Sequence, residues 1–286
     1  MTAEMVELSS DTLRFAATTE GGGIDRLEAV QHDGRLVPVL MPATGALKGG
    51  CQLLVPWSNR LSGGGFDYEG QFHAVAPNVA GERYPLHGDG FQRSWRVSRK
   101  EATELELELE DGAIGPYRYT AHVTYGIGDG FLFASLTVVN QAAMALPFGL
   151  GFHPWFPRTP TTLLRASATQ VELQDEQYLP TEVVGVGERH GFDFRRGSHL
   201  PGGWVNNAFL GWDGTAELAI GYEEPKISLT ASTSLNTFIL YSPSTEADFF
   251  CFEPVTHAVD AHQRGGLTRL EPGEAMSASM VLRVSW

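Results

Sequence analysis

Glu104-Leu105-Glu106-Leu107-Glu108-Leu109-Glu110 alternates carboxylates and leucines without a break, and that period of two dictates a half-buried strand with leucines on one face. The same period recurs along the chain. Tyr119 to Ile127 and Phe131 to Asn140 are rich in β-branched and aromatic residues, and Gly128-Asp129-Gly130 between them predicts a hairpin. Phe209 to Trp212, Asp213-Gly214 and Ala216 to Tyr222 predict a second hairpin, and Asp111-Gly112 predicts a turn after the glutamate strand. Met276, Ala278, Met280, Leu282, Val284 and Trp286 alternate with smaller or polar residues, so the chain is expected to run inside a sheet there.

No long window keeps a helical i, i+3, i+4, i+7 stripe, while 33 glycines and 16 prolines punctuate the chain at strand-and-turn spacing. The expected fold is all-β, either two large packed antiparallel sheets or a barrel. The 286 residues show no linker and no internal repeat, and an all-β unit of that size is expected to form one domain over residues 1–286. Gly21-Gly22-Gly23 and Gly63-Gly64-Gly65 read as turns or mobile loops.

The charge balance removes several functional classes. Acidic residues outnumber basic ones by 34 to 20, a formal charge of −14 spread along the chain, which argues against nucleic acid and weakens a polyanionic substrate. Two cysteines are too few for a disulfide framework, no apolar run reaches membrane length, and the first residues carry no secretion signal. A cytoplasmic protein away from membranes is expected, and nothing in the sequence fixes an oligomeric state.

Four short motifs carry candidate chemistry. Phe249-Phe250-Cys251-Phe252-Glu253-Pro254 leads an apolar strand directly into an acid, and partial desolvation there makes Glu253 a stronger base. Gly151-Phe152-His153-Pro154-Trp155-Phe156 sets a histidine in an aromatic frame, fit either for a general acid or for a satisfied core histidine. Pro56-Trp57-Ser58-Asn59-Arg60 places Asn59 and an arginine at a strand end, where guanidinium donors suit sugar hydroxyls or a developing oxyanion. Leu86-His87-Gly88-Asp89-Gly90 puts a histidine among glycines, whose backbone is able to approach a ligand closely.

Two histidines and a glutamate also satisfy the composition of a metal triad, but no local spacing supports a metal. His257 and His262 stand five apart, and there is no His-x-His pair. Nucleotide-binding loops and a Gly-x-Ser-x-Gly elbow are absent as well.

Taken in order, these motifs resemble the aldose 1-epimerase (galactose mutarotase) family, together with Val138-Val139-Asn140 before Leu146-Pro147 and Gly265-Gly266-Leu267 ahead of Leu270-Glu271-Pro272-Gly273-Glu274. The resemblance covers the chain from about residue 50 onward. It implies a large antiparallel β-sandwich with sugar bound in an open cleft, Glu253 as general base and His153 as general acid. Asn59, Arg60 and His87 are implied to bind sugar and stabilise the transition state, with no metal or organic cofactor. Under the same resemblance Trp57, Trp155 and Trp212 are candidates for stacking on the apolar face of the sugar, each equally able to be core, and Trp155 is counted among the sugar-binding residues. In Trp204-Val205-Asn206-Asn207-Ala208-Phe209, Asn206 fills the position of a family aspartate, which exchanges a charged hydrogen bond for a neutral one and leaves substrate preference open.

The implied reaction is anomer exchange by ring opening and closure, with a bell-shaped pH profile lost in acid as Glu253 protonates and in base as His153 loses its proton. A relative acting on hexose 6-phosphates needs a cationic pocket, for which Arg83, Arg93 and Arg195-Arg196 are the candidates. A non-catalytic sugar-binding protein is the third reading.

Overall fold

The computed structural model describes residues 4–45, 47–222 and 224–286. Two large antiparallel sheets dominate it. The first has eleven strands, running Met5–Ser9, Leu13–Thr18, Ile24–Val30, Cys51–Leu54, Gly151–Pro157, Phe249–Val255, Thr237–Ser242, Val205–Leu210, Gln170–Gln174 and Pro180–Gly185, with Leu36–Leu40 added on Ile24–Val30. The second has nine, in the order Ser198–His199, Leu163–Ala166, Thr215–Ala219, Lys226–Ala231, Ala275–Ser285, Phe131–Asn140, Tyr117–Gly128, Glu104–Ile114 and Arg96–Lys100. No helix among the described residues is long and apolar enough to cross a membrane.

The alternating segments behave as their period demands. Leu105, Leu107 and Leu109 are buried together with Val123, Tyr125 and Leu136 of the same sheet, and all belong to one apolar core shared with Phe15, Leu53, Phe152 and Phe252 of the other sheet. The expected hairpin is present with Gly128 opposite Phe131, and Ala275–Ser285 lies between Phe131–Asn140 and Lys226–Ala231.

Two local expectations are corrected, and a third is narrowed. The strand Glu104–Ile114 continues through Asp111-Gly112 and turns at residues 115–116. Gly112 serves packing instead, since a Cβ there would lie 2.4 Å from the Tyr119 ring. The segment after Trp212 does not fold back as a hairpin, because Val205–Leu210 belongs to the large sheet and Thr215–Ala219 to the other, with residues 211–214 crossing between sheets. Gly21-Gly22-Gly23 forms a turn, one of the two readings the sequence offered, and it is buried, with Gly22 in the left-handed region at φ 68° and packed against the Trp95 ring.

Strand alternation also builds the opposite face of the large sheet. Phe250 and Phe252 point into the core, so Cys251 and Glu253 point out of it; Phe152 and Phe156 do the same for His153 and Trp155. The pairings Gly151 with Val255 and Trp155 with Cys251 set His153 opposite Glu253. One cross-strand row therefore reads Gln52, His153, Glu253, Ile239, Ala208, and the next reads Trp155, Cys251, Tyr241, Asn206. Behind Glu253, Phe252, Phe238 and Phe209 stack with centroids 4.3 and 4.6 Å apart, which fixes the strands that carry both rows.

Candidate active site

His153 Nε2 lies 3.3 Å from Glu253 Oε1, and both side chains are almost fully buried. Glu253 Oε2 and His153 Nδ1 have no hydrogen-bond partner among the described residues, an arrangement that costs free energy unless a ligand supplies one. Burial pushes the Glu253 carboxyl up to about 8 against the attraction of Arg60. Burial also pulls the His153 imidazole down to about 4, with its own backbone opposing. Both shifts favour the uncharged pair, so between these values the two groups hold one proton and it resides on Glu253.

His87 completes the cluster, with a ligand-capable atom of each of the three residues within 4.8 Å of the others. Its ring stands edge-on to His153 with centroids 5.3 Å apart. The backbone N–H of Asn59 donates to His87 Nδ1 at 3.0 Å, and the His87 N–H donates back to the Asn59 carbonyl at 3.0 Å. A neutral imidazole whose Nδ1 accepts must carry its hydrogen on Nε2. Burial and the neighbouring His153 and Arg60 hold His87 well below the ordinary histidine range, so it stays neutral.

This wiring bears on the metal question. A histidine ligand presents a bare nitrogen to the ion and donates its other N–H to an acceptor, whereas His87 has a donor against Nδ1 and therefore a hydrogen on Nε2. Neither nitrogen is free to bind a cation, and the triad fits a hydrogen-bonding role in place of a metal centre.

The glycines beside His87 approach the chain itself and not a ligand. A Cβ on Gly88 would lie 2.2 Å from the Val55 carbonyl oxygen, and His87 adopts φ 62° to make the turn. Asp89 anchors this loop by accepting from Tyr119 Oη at 2.6 Å and pairing with Arg93.

Arg60 and Asn59 sit where the Leu86-His87-Gly88 segment crosses theirs, held by bridges from Val55 to Gly88 and from Arg60 to Leu86. Asn59, at φ 62°, turns its Oδ1 back to the Arg60 N–H at 2.9 Å. Arg60 Nη2 pairs with Glu82 at 3.0 Å, and the guanidinium lies 4.7 Å from the centre of the Tyr178 ring. Trp155 stacks on His153 at 5.4 Å and 17°, with its indole N–H donated to Gln52 at 2.9 Å, so it braces the imidazole. Asn206 lies on the second row, lining a cavity of about 400 Å³ between the diverging strands Val205–Leu210 and Gln170–Gln174. Trp57 and Trp212 are core residues, packed on Tyr117 and on Phe238 and Phe252 respectively.

Of the phosphate candidates, Arg93 is paired with Asp89 and Arg195 with both oxygens of Asp193, while Arg83 lies over the Tyr84 ring.

Four residues that shape the site had no such role assigned from the sequence. Glu82 and Tyr178 reach Arg60 from loops whose position depends on tertiary packing. His257 accepts the Ser58 N–H on Nε2 at 3.1 Å, while its Nδ1–H donates to the Ala258 carbonyl at 2.8 Å. It thereby pins the segment carrying Asn59 and Arg60, helped by Asp260, which accepts from both the N–H and hydroxyl of Ser62 at 2.8 Å. Gly149 packs closely on this histidine, since a Cβ there would lie 2.2 Å from the His257 ring.

A family model for aldose 1-epimerase matches residues 4–283. The chain is 34% identical over 291 aligned positions to a protein named "Uncharacterized protein YphB" of Escherichia coli K12, covering 98% of each. It superposes on the crystal structure of an aldose 1-epimerase candidate from Escherichia coli K12 with a TM-score of 0.92 and 33% identity over 99% of both chains. The fold also matches a galactose 1-epimerase from Lactobacillus acidophilus, with a TM-score of 0.76 and 16% identity over 100% of this chain and 99% of that one.

Proposed function

Because this chain belongs to the aldose 1-epimerase family, we propose that it interconverts the α and β anomers of a neutral aldose by acid/base ring opening and closure. The observation that carries the reading is the buried His153–Glu253 pair at 3.3 Å, with one oxygen and one nitrogen unpartnered and a neutral His87 N–H beside it.

The two groups share a single proton, and its position defines the working states. When sugar binds, its hydroxyls and Arg60 stabilise the charged arrangement, with the proton moved from Glu253 Oε1 across to His153 Nε2. The carboxylate then takes the proton of the C1 hydroxyl as the C1–O5 bond breaks, and His153 delivers its proton to O5. The open-chain aldehyde forms with the pair returned to its uncharged state, so charges and protons balance. Rotation about C1–C2 turns the other carbonyl face to the ring hydroxyl, and the same transfers in reverse close the opposite anomer. His87 Nε2–H and Arg60 serve as donors to oxygens on which negative charge develops.

The energetic logic follows from burial. In a dry site the charged pair lies uphill of the neutral pair, so the two proton transfers that accompany ring opening run toward the more stable state of the protein. The engagement of Arg93 by Asp89 and Arg195 by Asp193 supports a neutral sugar over a phosphosugar.

The test is anomer exchange in freshly dissolved α-glucose, α-galactose and further neutral aldoses, followed by polarimetry with wild type and Glu253→Gln. Acceleration by wild type and its loss in the variant support the reading; sugar binding without acceleration supports a silent binder instead.

A further inference from the structure

We propose that the cleft carries a second sugar subsite, an aromatic shelf built on Trp204, which seats the next unit of a reducing disaccharide whose anomeric end lies at His153 and Glu253. It rests on the reading of the site as that of an aldose epimerase.

Trp204 is 51% exposed, yet it is braced on two sides: its ring stacks on Tyr178 at 5.4 Å and 27°, and Tyr241 meets it edge-on at 5.3 Å and 76°. An exposed tryptophan held this way presents a rigid apolar face that loses little freedom on binding. The shelf is continuous with the catalytic pair. Trp155 lies 5.4 Å from His153, Tyr241 6.4 Å from Trp155, and Trp204 5.3 Å from Tyr241, so an unbroken series of ring contacts links the imidazole to Trp204.

The floor beside the shelf has the chemistry of a neutral saccharide site. The cavity of about 400 Å³ that Trp204 shares with Asn206 is also lined by Asn207 and Gln174, and Gln174 Nε2 is buried with no partner among the described residues. Carboxamides offer both donors and acceptors, which match hydroxyls, while an indole face matches the C–H face of a sugar. Arg189 in the same cavity is balanced by Asp175 and Glu176, so an uncharged occupant fits better than an acidic one. Asn206 stands at the junction, on the same row as Tyr241.

The chemistry fixes how the two units are joined. C1 of the unit at Glu253 must keep a free hydroxyl for the ring to open, so the second unit is attached through another hydroxyl of that ring.

Anomer exchange is measured for glucose beside maltose, cellobiose and lactose, which all carry a reducing glucose unit, with wild type, Trp204→Ala and Trp204→Phe. Binding of the same sugars is measured by calorimetry. At least one disaccharide should exceed glucose in kcat/KM. Trp204→Ala should lower kcat/KM for that disaccharide about 10-fold while changing glucose less than about 2-fold, and Trp204→Phe should retain most of the activity. The proposal is overturned if no disaccharide exceeds glucose, or if Trp204→Ala affects both equally. Should no sugar be exchanged, the epimerase reading fails and calorimetry decides the subsite: tighter disaccharide than glucose binding, lost in Trp204→Ala, supports it, and its absence refutes it.

Discussion

Replacing Glu253 by Gln should stabilise the protein, and increasingly so as the pH rises. Burial holds the carboxyl at about 8 in the fold against an ordinary value of 4.5. A group whose pKa is raised by folding contributes stability that is intact below its unfolded value and is lost as the pH climbs through its folded value. Between those limits each pH unit is worth about 1.4 kcal/mol, so from pH 6 to pH 8 the wild type should lose about 2 kcal/mol relative to the neutral amide, allowing for half-titration at the upper end. For a chain of this size that corresponds to a Tm gap widening by roughly 4–8 °C. The comparison is made by thermal unfolding of both proteins at half-unit pH steps from 6 to 9. Because the buried histidines are common to both, their contributions largely cancel in the gap. A gap that stays constant over this range, or narrows, would refute the claim that the fold desolvates an ionisable carboxyl here.

The remaining predictions follow from the same proton inventory. The pH dependence of kcat/KM should be bell-shaped with limbs near 4 and 8, but with the acid limb belonging to His153 and the basic limb to Glu253, the reverse of what ordinary side-chain values suggest; a profile flat from pH 5 to 9 contradicts it. His87→Ala should lower kcat about 100-fold, because it removes a donor aimed into the site, and steady-state kinetics read this directly. Acid should destabilise the protein: His87, His153, His257 and His262 are all held neutral by burial, so the stability they contribute is present above about 6.5 and lost as the pH falls toward 4. Thermal melts at pH 7 and pH 5 check it, with an unchanged Tm as the contrary result.

The parts of the molecule that local pattern dictates were legible in the sequence. Alternation placed Leu105, Leu107 and Leu109 in the core, and the apolar run ending at Glu253 marked a carboxylate on a buried strand. That His153 faces Glu253 was not legible, because cross-strand register depends on the pairing of strands about a hundred residues apart. The same holds for the crossing at residues 211–214, where a turn signal between two strand-like runs reads identically whether the second strand returns to the same sheet or enters the other. Asp111-Gly112 was misleading for a different reason, since Gly112 makes room for Tyr119 inside the sheet. His257 acts through two backbone contacts far along the chain, and only the folded structure brings Ser58 to it.

Electrostatics inverted one inference from residue type alone. Histidine as acid and glutamate as base is the assignment that ordinary pKa values give, yet burial places the shared proton on Glu253 in the sugar-free protein. Under the proposed mechanism the bound sugar has to draw that proton across 3.3 Å, which would tie turnover to a closely fitted polar ligand.

The measurement that bears most directly on the central claim is polarimetry of freshly dissolved α-aldoses with wild type, Glu253→Gln and buffer alone. Wild type should bring at least one neutral aldose to anomeric equilibrium faster than buffer, with a loss of at least about 100-fold in the folded variant. Equal rates for wild type and buffer on every neutral aldose, or a Glu253→Gln protein as active as wild type, would contradict it.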